Sequence, residues 1–246
     1  MAYYDFKEGK KRIQEILKNN AEIIKKDVPK EDNEFTYENG IRAWIGAIFV
    51  DIVGSSDIIE KEEEKKVSKI LRSFTSELIA IMNSSVNVRE IGIRGDCVYG
   101  IYSTPKKNDT KELFDIAAYI NTCISMLNKL FKKENLKQIN VGIGVSIGED
   151  LIVKAGKKGS GINDKIWIGN AVVKASNLSN ISGRRGKHVI GFSKLAYDNF
   201  IDIVVEEHTS KNEQEIKSWF NYDYTQNAYF ANIVYPSEVE WIEKNI

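Results

Sequence analysis

The segment VNVREIGIR-GD-CVYGIYS constrains the fold of this chain more than any other. Two runs rich in Val, Ile and Tyr flank Gly95-Asp96, a two-residue turn of the kind that closes a β-hairpin. Strands joined this tightly must be antiparallel, so the sheet that contains them is not built from parallel units alone. The remaining patterns then fix the order of elements. RAWIGAIFVDIVGSSD reads as a strand running to Gly54, and residues 57–82 as one helix whose EKEEEKK block is a solvated face. Residues 110–133 read as a second helix, with Leu113, Ile116, Ala117, Ile120, Ile124 and Leu127 on one side. NVGIGVSIGEDLIVKAG reads as two strands about Gly148-Glu149, KIWIG as a short strand, NAVVKASNLSN as a helix and KHVIGFS as a strand. The order β-α-β-β-α-β-β-(β)-α-β fits a ferredoxin-like α+β core, an antiparallel or mixed sheet with flanking helices. Alternating strands and helices also leave a parallel α/β sheet open, but no G-x-G-x-x-G opens a helix.

Two segments lie outside that core. Residues 5–26 carry Ile13, Ile16, Leu17, Ile23 and Ile24 at helical spacing, and the polar stretch DVPKEDNEFTYENG follows as a linker. The tail contains the β-rich runs WFNYDY and AYFANIVY and ends in a short helix, PSEVEWIEKN. The expected organisation is an N-terminal helix and linker at 1–40, a catalytic core at 41–200 and a β-rich C-terminal extension at 201–246.

Composition narrows the chemistry. Lys plus Arg and Asp plus Glu each number 35, so the formal net charge is zero. A protein that coats nucleic acid polymers or membrane surfaces needs a basic surplus. No apolar run reaches the roughly 18–20 residues of a membrane span, and the N-terminus lacks an apolar signal core. A cytoplasmic protein is expected. Two cysteines, Cys97 and Cys123, make no disulfide framework, and two histidines, His188 and His208, do not suit a His-rich zinc site. A metal here is held by carboxylates.

Asp51 ends an apolar strand and Asp96 sits at the hairpin tip. If their strands are neighbours, both carboxylates leave the same sheet edge and repel one another. A divalent cation relieves that repulsion, and Mg²⁺ or Mn²⁺ is held by a few carboxylates together with phosphate oxygens. A pair of such ions activates an attacking oxygen and stabilises the leaving one in phosphoryl transfer. Val53, Gly54, Ser55 and Ser56 follow Asp51 and offer backbone N–H groups at a helix start, a cradle for a triphosphate. The plainer alternative is a strand-end Asp and a turn Asp that merely cap their elements.

FVDIVGSS resembles the strand-loop-helix signature of class III nucleotidyl cyclases, the adenylate and guanylate cyclase family. IGIRGDCVYGIY resembles that family's G-D hairpin, VGIGVSIGEDLIVKAG its glycine-spaced strands, and IWIGNAVVKASNL its W-G-x-x-V-N-x-A-x-R segment. The four matches occur in the family's order over residues 44–192. The resemblance implies a homodimer with active sites at the interface. It implies two divalent ions held by Asp51, Asp96 and the Ile52 carbonyl. It implies cyclisation of a nucleoside triphosphate by attack of the 3′-oxygen on the α-phosphate.

The departures matter as much. Where adenylate cyclases place a base-reading Lys and guanylate cyclases a Glu, this chain has Gly92; the adenine-reading Asp position is Ile166. The family's Asn and Arg that steady the substrate align with Val173 and Asn177. Losing a transition-state cation costs rate unless another group supplies it. Lys174, Asn177 and Arg184 are the candidates, with Arg185 and Lys187 beside them. The pattern resembles the pyrimidine cyclases of the Pycsar anti-phage system, whose cyclic UMP or CMP activates a partner effector. On the face of Asp51, Phe49 could stack on a base. Arg94, beside the room left by Gly92, could donate to a pyrimidine carbonyl, which favours UTP over CTP. A purine cyclase with a divergent pocket and an inactive nucleotide-binding regulator are the competing readings.

Overall fold

A computed structural model describes residues 3–246. A central strand of its sheet is β2 (Asn39–Ile52), which is apolar at both parities because both of its faces are covered. Ile48, Val50 and Ile52 enter one core; Ile41, Ala43, Ile45 and Ala47 enter another on the opposite face. β2 is followed by α2 (Ser55–Lys61), α3 (Glu64–Met82), the hairpin β3 (Val88–Arg94) and β4 (Cys97–Ser103), α4 (Lys107–Lys133) and β5 (Val141–Gly156). These strands lie in the order β3-β4-β2-β5, every neighbouring pair antiparallel. That is the ferredoxin-like arrangement the hairpin implied.

α3 and α4 cover one face of this sheet through Ile70, Phe74, Leu78, Leu113, Ala117 and Ile120. The other face carries α5 (Asn170–Ile181), whose Ala171 and Ala175 pack beside Ile45 and Ala47. α5 can sit this close because β5 is glycine-spaced: a Cβ on Gly144 would stand 1.9 Å from the Ala175 carbonyl oxygen.

The sheet continues beyond the core. β6 (Asn163–Ile168) folds back antiparallel on the far half of β5, and β7 (Ile190–Ser193) lies parallel to its near half. The tail's two β-rich runs form β8 (Phe220–Asp223) and β9 (Ala228–Ala231), and β9 pairs with β7, so they extend the same sheet. α6 (Lys194–Glu207) was not expected from the sequence and spans the anticipated boundary at residue 200. Its Ala196, Tyr197, Phe200, Ile201 and Val204 are buried at helical spacing, and Ser193 caps its first turn. α7 (Glu213–Lys217) and α8 (Pro236–Asn245) complete the tail.

Three expected elements differ. The helix expected over 5–26 stops early: α1 is Phe6–Lys18, and Glu22–Lys25 forms β1, parallel to Asn39–Arg42 of β2. β4 pairs only with residues 45–50 of β2, which leaves this end of the strand an open edge for β1 to occupy. The helix expected over 57–82 is two, α2 and α3, broken at Glu62-Glu63. Glu60 stands three and four residues from Glu63 and Glu64, a repulsive spacing within one helix. No turn forms at Gly148-Glu149. β5 runs straight through, paired without a break from Gly40↔Val153 to Ile52↔Val141. Gly148 answers instead to the approach of α5, since a Cβ there would lie 3.3 Å from the Ala171 nitrogen.

Candidate active site

The β2–β4 register puts Val50 opposite Val98, so one step further Asp51 leaves β2 beside the turn that carries Asp96. The neighbourhood expected from the hairpin is present. Asp51 is half-buried, and its carboxyl is raised above the usual carboxylate range, first by burial and then by the charge of Asp96. Cys97, between them, is pushed up to about 11 by burial and by the charges of both aspartates. A half-buried carboxylate whose ionisation a neighbouring charge opposes is a natural place for a positive charge.

One positive group already stands there. Arg184 donates from Nη2 to Asp51 Oδ2 at 2.6 Å and to the Ile52 carbonyl at 3.3 Å. From Nη1 it donates to the Ser179 and Ser182 carbonyls at 2.8 and 3.4 Å. The other expected transition-state groups do not gather here. Lys174 donates to the Gln226 carbonyl in the β8–β9 turn, and Asn177 is exposed on α5. Lys187 pairs with Asp223 and lies over the Phe230 ring, while Arg185 points to solvent.

Asp51, Asp96 and the Ile52 carbonyl offer only oxygen, the donor set of a hard divalent cation. Among the described residues no three His, Cys, Asp or Glu side chains cluster, so any further ligands come from backbone, water or substrate. The cradle expected at residues 53–56 is shorter than anticipated. Val53 N–H is spent on the Asn140 carbonyl at 2.8 Å, which removes it from the set. Gly54 turns the chain in the left-handed region, φ +70°, into Ser55 and Ser56 at the start of α2.

The region around Gly92 departs most from expectation. The room that glycine was expected to leave is filled by Tyr99, its cross-strand partner. A Cβ on Gly92 would lie 2.4 Å from the Tyr99 ring, and that ring stacks on Phe49 at 5.2 Å and 13°. Phe49 therefore shares the face of Asp51 as expected, but meets a ring of its own chain. Tyr99 donates to Glu90 Oε1 at 2.9 Å, and Trp167 Nε1 donates to Glu90 Oε2 at 2.7 Å. Arg94 is exposed, and its charge acts on the Tyr99 hydroxyl. Tyr99, Glu90 and Trp167 went unnoticed in the sequence. The register of a two-residue turn would have found the first: counting outward from Gly95-Asp96 pairs 94 with 97 and 92 with 99. Nothing local links Glu90 to Trp167.

Comparison with known proteins follows the same lines. Residues 43–189 match the family described as the adenylate and guanylate cyclase catalytic domain. The chain is 51% identical over 199 residues to a uridylate cyclase of Treponema porcinum, covering 81% of this chain and 70% of that protein. It is 29% identical over 250 residues to a uridylate cyclase of Gulbenkiania mobilis, covering 98% of this chain and 97% of that one. Among solved structures, the adenylyl cyclase CyaB from P. aeruginosa has a similar fold, with a TM-score of 0.59 at 20% identity over 67% of this chain and 83% of that one.

Proposed function

The chain belongs to the adenylate and guanylate cyclase family, and from that premise we propose that it cyclises a pyrimidine nucleoside triphosphate, UTP in preference to CTP, to the 3′,5′-cyclic nucleotide and pyrophosphate. The observation that carries the pyrimidine reading is the aromatic wall. Tyr99 lies over Gly92 and stacks on Phe49, which supports a pocket whose wall a second purine ring would meet. Neither Gly92 nor Ile166 offers a polar group to read a purine edge. Arg94 offers donors, which suit the two carbonyls of uracil better than the amino group of cytosine. The relatives named uridylate cyclase favour the same base.

Asp51, Asp96 and the Ile52 carbonyl would hold divalent ions, Mn²⁺ or Mg²⁺, two to a site. Bound there, such ions would lower the charge on the α-phosphate and acidify the attacking hydroxyl. The carboxylates fix where that charge sits, at the sheet edge one register step from the base wall. Gly54, Ser55 and Ser56, at the start of α2, would offer their backbone to the polyphosphate. Asn177, exposed on α5, and Lys174 remain the side chains of that helix closest in sequence to the family's steadying pair.

The active unit is a homodimer. Ile93, Ile166, Ile168 and Val173 are between 46% and 58% exposed, apolar side chains that a second copy would cover. No helix among the described residues is long and apolar enough to cross a membrane. The product is a diffusible signal for a separate cyclic-nucleotide-binding effector, in keeping with an anti-phage role in the cytoplasm.

Incubation with each of ATP, GTP, CTP and UTP and Mn²⁺, with the products identified by mass, tests this reading. Cyclic UMP is the expected main product. Cyclisation of ATP alone overturns the base preference, binding without turnover favours the regulatory reading, and undiminished yield from Asp51→Ala overturns the metal site.

A further inference from the structure

We propose that Arg184 is a positioning residue for the metal site: it acts through Asp51 and Ile52, holding both oxygens in place from behind rather than touching the substrate. The inference rests on the metal-dependent reading above.

Three observations support it. The first is commitment. A guanidinium has five N–H donors, and Arg184 spends four contacts on Asp51, Ile52, Ser179 and Ser182. Little is left to follow a phosphate through a reaction. The second is anchorage. Ser179 and Ser182 lie at the C-terminal end of α5, where the final carbonyls attract a cation. One Nη is tied to that helix end and the other reaches the sheet edge, so the side chain spans two elements.

The third is the loop that delivers it. Gly183, Arg185 and Gly186 all have positive φ, at 66°, 51° and 78°, and Arg184 accepts from Lys187 N–H at 3.0 Å. Gly183 is pressed onto β5, where a Cβ would meet the Val141 carbonyl oxygen at 2.3 Å. Arg185, with a β-carbon, tolerates a left-handed conformation that few residues adopt without compensation. A turn built this tightly does not wander, and it leaves Arg184 aimed inward while Arg185 faces solvent.

Arg184 contacts Asp51 through Oδ2 alone, so Oδ1 carries no bond to the guanidinium. A carbonyl oxygen has two lone pairs, so the contact to Ile52 likewise leaves room for a second partner. Partners of this kind behind a metal ligand usually matter to affinity by about 10–100-fold. Lysine would reach one of these oxygens as a point charge but could not bridge helix and strand in the same fork.

The test measures Mn²⁺ binding to the full chain by the loss of the free-ion paramagnetic resonance signal, without nucleotide, alongside melting with and without the ion. Arg184→Met should weaken Mn²⁺ binding about 10–100-fold, and Arg184→Lys should recover part of it. Arg184→Gln, which keeps a planar donor, serves if the Met variant does not fold, and the same weakening is expected of it. If these variants melt lower but bind Mn²⁺ as the wild type does, Arg184 is only a staple and the proposal fails. If they bind Mn²⁺ more tightly, the guanidinium competes with the ion, and the proposal also fails. Both outcomes leave the cyclase reading intact. A wild type that binds no Mn²⁺, and whose turnover needs none, overturns the metal-dependent reading and this inference with it.

Discussion

The two ends of the candidate site are built on opposite plans. At the sheet edge, Asp51 and Asp96 stand close, half-buried and mutually repelling, with Arg184 as their counter-charge. One step along the same face, Phe49, Tyr99, Glu90 and Trp167 form a satisfied cluster in which both oxygens of Glu90 are bonded. The edge is electrostatically unfinished and the wall is sterically complete. Chemistry that needs a cation is served by the first arrangement, since poorly matched charges draw ions. Selection between bases is served by the second, since packed rings define a shape.

The comparison breaks most plainly at Asp96. Asp96→Asn should lower turnover about 10³-fold, read in a steady-state assay. The metal-free protein should not melt lower. Asp51 has its carboxyl raised in the fold, so its contribution to stability is greatest in acid and is lost as pH rises through the raised value. Removing the charge of Asp96 removes one cause of that loss, and melting followed against pH should flatten accordingly.

Gly144→Ala attacks what both ends share, the seat of α5 on β5. Its new methyl would meet backbone rather than a movable side chain. About 3 kcal/mol of destabilisation is expected by denaturant titration. A melting temperature like the wild type's would show that α5 can shift, and with it the anchor of Arg184.

Tyr99→Ala sharpens the contrast, because it should open the wall and leave the edge alone. Turnover of ATP relative to UTP should rise roughly tenfold, with the Mn²⁺ requirement unchanged. An unaltered ratio would assign base choice elsewhere. The smallest effect is expected for Glu90→Gln. It weakens the contacts to Tyr99 and Trp167 by about 1 kcal/mol and should relax base preference only a few-fold, seen as a change in KM for UTP more than in kcat.

The parts of the molecule differed in how far they could be read from the chain. The hairpin turn placed β3, β4 and Asp96, and the apolar run before Asp51 placed β2. Both are local patterns whose meaning does not depend on distant residues. Elements at the margins were less legible. Ile23 and Ile24 carry a helical spacing, yet residues 22–25 pair with the edge of β2 that β4 leaves open. Gly148 looks like a turn residue, yet serves the approach of a helix. α6 was hidden because KLAYDNFIDIVVEE mixes β-branched and aromatic residues that suit a strand equally well.

By itself the sequence determined the antiparallel hairpin, with Asp96 in its turn, and the apolar strand that ends near Asp51. Period, turn chemistry and register act over a few residues, and these features follow from them. Only the tertiary structure decided that Tyr99 fills the space over Gly92 in company with Trp167. Only it decided that Arg184, alone among several nearby cations, reaches Asp51 from a loop 133 positions away. Long polar side chains have many conformers and many partners within reach, and the packing of β5 against α5 selects one.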